Sequence, residues 1–435
     1  MGAFRKNGCG YFPLFLTVLG CLVVLASMVP VAWAAEYSLS SRSYLYLHER
    51  DNAIGPNDHL APLYEYLSLD VWDLKEANLS FHSYGWGRVD LADASAGGRN
   101  SGDISSAYLQ YRYPTGNGQA KLGRFFLAEG TTTETLDGLF LKGTGKGGFG
   151  ASFYAGNPVE NSIIASGGGN SLVGGRVFYV RPGLAEAGFG YLFENGDFQG
   201  KNREEAGGDL WVRFAPSWDL TGKIVYNLTT SELASHRVAF RLVPVNTIDL
   251  ELGTEGYRYD GLFQKSLHPA FLPPSANGSD KVRKLFADCD WQATERLSVQ
   301  AGVKRIHHDA DDPGDAAYGE LGFRLQMEGV LNLLGFSAAL QTADLSENEY
   351  RELRGWLMGT VRKWSFSLDA LTYLYEVPVN GVDTSTQIVG SAGWKASTLL
   401  SLSGDVRYTR SPRYAKDLTI LLRADFALDG SWGGK

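Results

Sequence analysis

The chain has 435 residues, 12% of them aromatic, with 53 Gly, only 15 Pro and a formal net charge of −8. A mean hydropathy of −0.16 excludes a bundle of membrane-crossing helices, each of which needs a run of about 20 apolar residues. The acidic balance excludes nucleic-acid binding through a basic surface.

The N-terminus reads as a secretory signal. Arg5 and Lys6 form a positive start, Tyr11 to Val31 is mostly apolar, and Ala32-Trp33-Ala34 supplies an A-x-A cleavage site. Residues 1–34 are therefore expected to be removed, leaving 35–435 as one unit, exported through the secretory pathway. A retained N-terminal anchor is the rival reading, and Val18-Leu19-Gly20-Cys21 resembles a lipoprotein box upstream of the better site. Cys9 and Cys21 depart with the signal, so Cys289 remains alone and no intramolecular disulfide forms. No CxxCH motif attaches a haem to this chain, and no cofactor is expected. Cys289 alternates with Leu285, Ala287 and Trp291, which places it on an apolar face.

From Tyr37 onward, segments of 10–14 residues alternate apolar and polar side chains. Leu418, Ile420, Leu422, Ala424 and Phe426 oppose Thr419, Arg423 and Asp425. Val238, Phe240 and Leu242 oppose Arg237 and Arg241. Leu321, Phe323, Leu325 and Met327 oppose Glu320, Arg324 and Gln326. Successive side chains on a strand take opposite faces, so each segment has one apolar and one charged side. A soluble sandwich shares that period, and the connections separate the two. Short turns, as at Pro114 to Gly118 and Pro244 to Asn246, alternate with longer loops, as at Glu49 to Ala61, Ala128 to Thr133, Gly261 to Asp280 and Pro378 to Asp383. That sorting predicts an all-β, antiparallel, up-and-down transmembrane barrel of about 22 strands (range 18–22) in a bacterial outer membrane. Both termini then lie in the periplasm. Tyr and Trp near strand ends, among them Tyr44, Tyr46, Tyr64, Tyr66, Trp72, Tyr84, Trp86, Tyr111, Tyr113, Tyr373 and Tyr375, supply candidates for an interfacial girdle, although parity turns some of them to the interior.

The stretch Gly123 to Gly143 resembles a hairpin region of porin-like outer-membrane proteins of Gram-negative proteobacteria. In those a Gly-Arg strand leads through a polar loop to a Leu-Asp-Gly strand, matched here by Gly123, Arg124, Leu136, Asp137 and Gly138. The resemblance implies a porin-like barrel and passive diffusion of ions or small hydrophilic solutes. Two features depart from such barrels. Phe426 is followed by Ala427 to Lys435, so a terminal aromatic is internal or atypical. The first strand also starts too near the cleavage site to leave room for the plug of a TonB-dependent transporter.

The polar faces supply candidate pore-lining cations at Arg213, Lys223, Arg237, Arg241, Lys284, Lys304, Arg324, Lys395, Arg407 and Arg423. Candidate anions are Asp249, Glu251, Asp288, Asp290, Glu320, Asp369, Asp405 and Asp425. So many charges cannot be buried dry, and they imply a water-filled lumen. Individually they read as cross-strand pairs, such as Arg241 with Glu251 or Asp249. The cluster from His307 to Asp315 has calcium-ligand chemistry without EF-hand spacing and reads as a solvated loop. His48, His82 and His236 lie in or near strands without a hydrolase signature, so no enzyme is expected. A barrel of about 22 strands is wide enough to require filling. Gly261 to Asp280 is the first candidate for a constricting loop, and Ala128 to Glu134 the second. Expected partners are outer-membrane lipid and the barrel-assembly machinery. A homo-oligomeric partner copy is a further candidate, and so is a multihaem cytochrome sheathed by the barrel in an electron conduit.

Overall fold

The computed structural model describes residues 35–52, 58–74, 78–92, 100–159, 170–196, 202–259, 278–309 and 314–432. The expected signal, residues 1–34, lies outside them, as does 260–277, most of the first constriction candidate. Twenty-two strands form the wall. They are β1 (Ala35–Asn52), β2 (Asp58–Leu60 continued by Pro62–Trp72), β3 (Leu79–Asp90), β4 (Asn100–Arg112), β5 (Gly118–Glu129), β6 (Thr132–Thr144) and β7 (Phe149–Pro158). Next come β8 (Ser171–Arg181), β9 (Ala185–Asn195), β10 (Arg203–Ala215), β11 (Trp218–Asn227), β12 (Glu232–Val245), β13 (Ile248–Arg258), β14 (Lys281–Gln292) and β15 (Leu297–His308). The last are β16 (Ala316–Gln326), β17 (Leu331–Ala343), β18 (Tyr350–Val361), β19 (Trp364–Val379), β20 (Val382–Lys395), β21 (Leu400–Arg410) and β22 (Tyr414–Trp432).

Each strand pairs antiparallel with the next. The ladder closes where β22 meets β1, from Ala35 opposite Trp432 to Asn52 opposite Tyr414. Closure removes the two free edge strands that a flat sheet of this size would expose. The closing strand β22 runs past Phe426 to Trp432.

Following the register around the wall gives one apolar outward face. Leu122, Val177, Phe189, Leu285, Val303 and Leu340 are exposed on it, as hydrocarbon-facing residues are when no lipid is counted. Cys289 lies on the same face, opposite Leu250 and Ala301. Tyr111, Tyr113, Phe149, Trp218, Trp291, Trp364 and Trp394 sit at the short-turn ends and form the girdle there. Most of the aromatics proposed for a girdle from sequence do not. Tyr44, Tyr46, Tyr64, Tyr66, Trp72, Tyr84, Trp86, Tyr373 and Tyr375 take the inward parity, shared by register with Arg42, Arg88 and Asp369.

Two expected long loops are tight turns. β5 and β6 are joined by Gly130-Thr131, and β19 and β20 by Asn380-Gly381. The second has φ of 52° and 77° at its two central residues, the backbone that an Asn-Gly pair tolerates and that matches strand twist.

Candidate functional site

The wall departs from regularity at β5 and β6. Pairing of β4 with β5 stops at Ala107 opposite Arg124, although β4 runs on to Asn100 beside β3, and β5 runs on to Glu129 beside β6. Pairing of β6 with β7 likewise stops at Leu136 opposite Pro158. The upper part of this hairpin, residues 125–134, therefore leaves the wall.

It folds inward onto β7–β10. Thr132 and Tyr154 share a hydrogen bond of 2.5 Å, and the Tyr154 hydroxyl lies 3.4 Å from the Tyr191 carbonyl oxygen. Glycines on the wall make the seat. A Cβ on Gly190 would lie 3.2 Å from the Gly130 Cα, and one on Gly207 2.8 Å from the Thr131 methyl. Side chains there would hold the tip off the wall. Between the layers, Phe125, Leu127, Leu136, Phe140, Tyr154, Leu172 and Leu192 form one apolar core, with Tyr108 packed against it. Phe125, Leu136, Tyr154 and Leu192 are fully buried. Burial of each large apolar side chain is worth roughly 1.5–3 kcal/mol, enough to hold the hairpin down. Phe126, on the opposite face of the hairpin, points away from that wall and is 59% exposed.

Ion pairs fix the rim of this seat. The Arg176 guanidinium donates to Asp209 (2.9 Å), Glu186 (2.8 Å) and Glu129 of the hairpin (3.4 Å). Lys142 meets Glu129 at 2.9 Å. Arg203 donates to Glu134 (2.9 Å), Glu194 (3.3 Å) and Glu205 (3.0 Å). A buried charge is tolerated when it is paired and hydrogen-bonded, and both arginines meet that condition. The tip is thus clamped by two cations embedded in carboxylates.

The motif that resembled porin-like proteins marks the bend. Arg124 donates two parallel hydrogen bonds of 2.8 Å to Asp137, and its remaining nitrogen reaches the Ile104 carbonyl at 2.8 Å and Asp103 at 3.2 Å. Bidentate pairing adds geometric definition to charge. The bond to Ile104 satisfies a carbonyl on the stretch of β4 that β5 has left. Gly138 is required beside it, since a Cβ there would stand 2.1 Å from the Ala155 carbonyl oxygen.

The sequence-predicted charged residues all take the inward parity and all lie on β10–β22, and none of them is a partner in the Arg176 or Arg203 clusters. Arg237 bridges Glu251 (2.9 Å) and Glu255 (2.7 Å), and Arg241 pairs with Asp249 at 2.9 Å. Lys284 pairs with Glu255, Arg423 with Asp405, and Arg354 with Asp369 at 2.7 Å. Arg324 lies 3.9 Å from Asp290, and Asp425 3.6 Å from Arg42. Arg407 donates to Thr419, and Glu320 accepts from Tyr318. Lys304 stands over the Tyr318 ring and Arg213 over Trp211. Lys223 faces Asp209 and Arg237 across the ladder, Asp288 faces Glu251 and Gly302, and Lys395 faces Ser401. These are cross-strand ladders along a polar wall.

Arg176 and Arg203 were not singled out from sequence, and Glu129 and Glu134 only as part of the second constriction candidate, Ala128 to Glu134. Their inward parity is legible, but pairing across 47 and 69 residues is not.

Other sequence candidates resolve locally. His307 Nδ1 lies 2.5 Å from Asp315, and His308 bonds the Gly314 carbonyl at 2.7 Å. Residues 310–313 of that cluster lie outside the described residues. His48 meets Thr419 at 2.9 Å. His82 joins Asp70 at 2.5 Å and Ser80 at 2.9 Å. The Ser80 hydroxyl lies 3.4 Å from the Gln110 carbonyl oxygen, so these bonds tie β2, β3 and β4 together near the short-turn end.

A closed antiparallel wall, an apolar outer face, a charged inner face and a hairpin folded into the interior together define a porin-like barrel. No protein-family model matches the chain, and no curated protein matches it. Among solved structures, the siderophore receptor PirA of Pseudomonas aeruginosa superposes with a TM-score of 0.54 at 12% identity, covering 89% of this chain and 80% of that one. At that identity the likeness extends to the barrel fold. Pseudomonas aeruginosa OccK1 (OpdK) has a TM-score of 0.47 at 8% identity, covering 91% of this chain and 99% of that one. OccK3 (OpdO) of the same organism has 0.46 at 11% identity, covering 91% and 96%.

Proposed function

We propose that the protein is an outer-membrane channel through which ions or small hydrophilic solutes diffuse passively, with the β5–β6 hairpin as its constriction. The hairpin carries the reading. Among the described residues it is the observation that both places mass inside the barrel and leaves the charged wall of β10–β22 facing the remaining space. A polar lumen narrowed by an inward element selects solutes by size and by the charge arrangement on its walls. The ladders on β10–β22 carry both signs, many of them paired as Arg237 is with Glu251 and Arg354 with Asp369, so they offer hydrogen bonds to a passing hydrated solute. The rim carries six carboxylates, Glu129, Glu134, Glu186, Glu194, Glu205 and Asp209, against the three cations Arg176, Arg203 and Lys142, so it is net acidic.

The test is reconstitution of the purified protein in a planar bilayer. Discrete, reproducible conductance steps are expected, and a variant lacking Glu129–Thr132 should give larger ones. Silent bilayers from folded, membrane-inserted protein would reject the channel. Steps unaltered by the deletion would reject the hairpin as the constriction.

A further inference from the structure

The inner wall opposite the charged ladders is aromatic. On β1–β3 the rings of Tyr44, Tyr46, Tyr64, Tyr66, Tyr84 and Trp86 form one contiguous sheet. Tyr64 and Tyr66 are near-parallel at 6.2 Å between centroids, as are Tyr66 and Tyr84. Tyr44 meets Tyr66 edge-on at 5.4 Å, Tyr46 meets Tyr64 at 5.7 Å, and Trp86 meets Tyr64 at 6.3 Å. The register puts all six on the same inward face as Arg42 and Arg88. They face inward rather than toward lipid and keep part of their surface open: the four on β1 and β2 are half-buried, Tyr84 is 39% exposed, and the Arg88 guanidinium stands 5.7 Å over the Tyr64 ring.

We infer that this wall is a binding surface for neutral carbohydrates, a substrate class that deepens the channel reading above and rests on it. Three observations narrow the chemistry. Broad ring faces recruit a flat apolar face. The five tyrosine hydroxyls around them carry no hydrogen bond among the described residues, so donors and acceptors remain for a ligand with many hydroxyls. The charges that border the patch are already answered: Arg42 by Asp425 at 3.6 Å, Arg88 by Asp90 at 3.4 Å, and Asp70 by His82 at 2.5 Å. An ionic ligand would have to compete with these partners. A purely aromatic one would leave the hydroxyls unused. A pyranose ring offers axial C–H groups to the tyrosine faces and equatorial hydroxyls to their rims.

The experiment measures interruption of ion current through single channels by maltohexaose, with a polyethylene glycol of equal hydrodynamic size as control. Maltohexaose is expected to block in resolved events at concentrations where the polymer does not. Tyr64→Ala/Tyr66→Ala should weaken the block about tenfold, the loss of two stacking faces. Tyr66→Phe, which keeps the face and loses the hydroxyl, should fall between. Equal block by sugar and polymer would mean size exclusion alone and would overturn the inference, as would block unchanged in the double variant. Titration calorimetry of maltohexaose in amine-oxide micelles reads the same surface without conduction. Binding that is lost in the double variant upholds the inference even if bilayers stay silent, and no binding rejects it even if they conduct.

Discussion

Thr132, at the tip of the inward hairpin, and Tyr154, on the wall beneath it, share a 2.5 Å hydrogen bond between two completely buried residues. Nothing in that bond is available to water, so its loss leaves a buried hydroxyl without a partner. Tyr154→Phe removes one member and should cost about 1–3 kcal/mol. Urea unfolding of the detergent-solubilised barrel measures it. A midpoint equal to that of the parent would mean the hairpin is not seated on Tyr154.

The core beneath the hairpin should matter more than any single bond. Phe125 is fully buried among Leu136, Phe140 and Tyr154. Phe125→Ala should lower stability by about 3–5 kcal/mol, transfer and cavity contributions combined. Protease digestion should then cleave the hairpin first, between residues 125 and 134, with the rest of the barrel intact.

Gly190 tests geometry rather than energy. Its missing Cβ leaves room for Gly130 and for the Thr131 amide, both 3.2 Å from where that atom would stand. Gly190→Leu should lift the tip from the wall without altering any charge. The single-channel conductance changes while the reversal potential in a salt gradient stays put. An unchanged conductance would show that the tip does not set the narrowest passage.

Arg176 tests charge. Its side chain is 5% exposed and faces Glu129, Glu186 and Asp209. Arg176→Met strands these carboxylates beside one another and should destabilise the barrel by about 3–5 kcal/mol. Surviving channels should shift their reversal potential toward cation selectivity. A shift toward anions would contradict the arrangement.

Arg241 is the contrasting case. It pairs with Asp249 on the open wall, and both side chains are well exposed. Arg241→Gln should change stability by less than about 1 kcal/mol, because exposed pairs are screened and costly in side-chain entropy. A larger loss in the same unfolding assay would mean that this pair is buried by something in the lumen.

What sequence alone determined is the barrel. A two-residue period is a local property of a strand, so Val238-Phe240-Leu242 against Arg237-Arg241 fixes an apolar and a charged face wherever the strand lies. Twenty-two such segments, with turn residues between them, leave few ways to satisfy every backbone group in a bilayer, and closure is one of them. The inward parity of the charged residues followed from the same argument. Only the tertiary structure decided which side of the lumen is filled. Phe125, Leu127 and Leu136 look in sequence like any inward residues, and Gly190 and Gly207 like any wall glycines. Their meeting depends on where β5 leaves β4, and Arg124 secures that point through a carbonyl on a different strand. The aromatic wall was hidden for a related reason. Tyr and Trp suit both an interface and a lumen, and their identity does not say which. Parity already turns some of them to the lumen, but only the closed ladder brings those of β1, β2 and β3 side by side into one wall, because strand register is a property of the whole sheet.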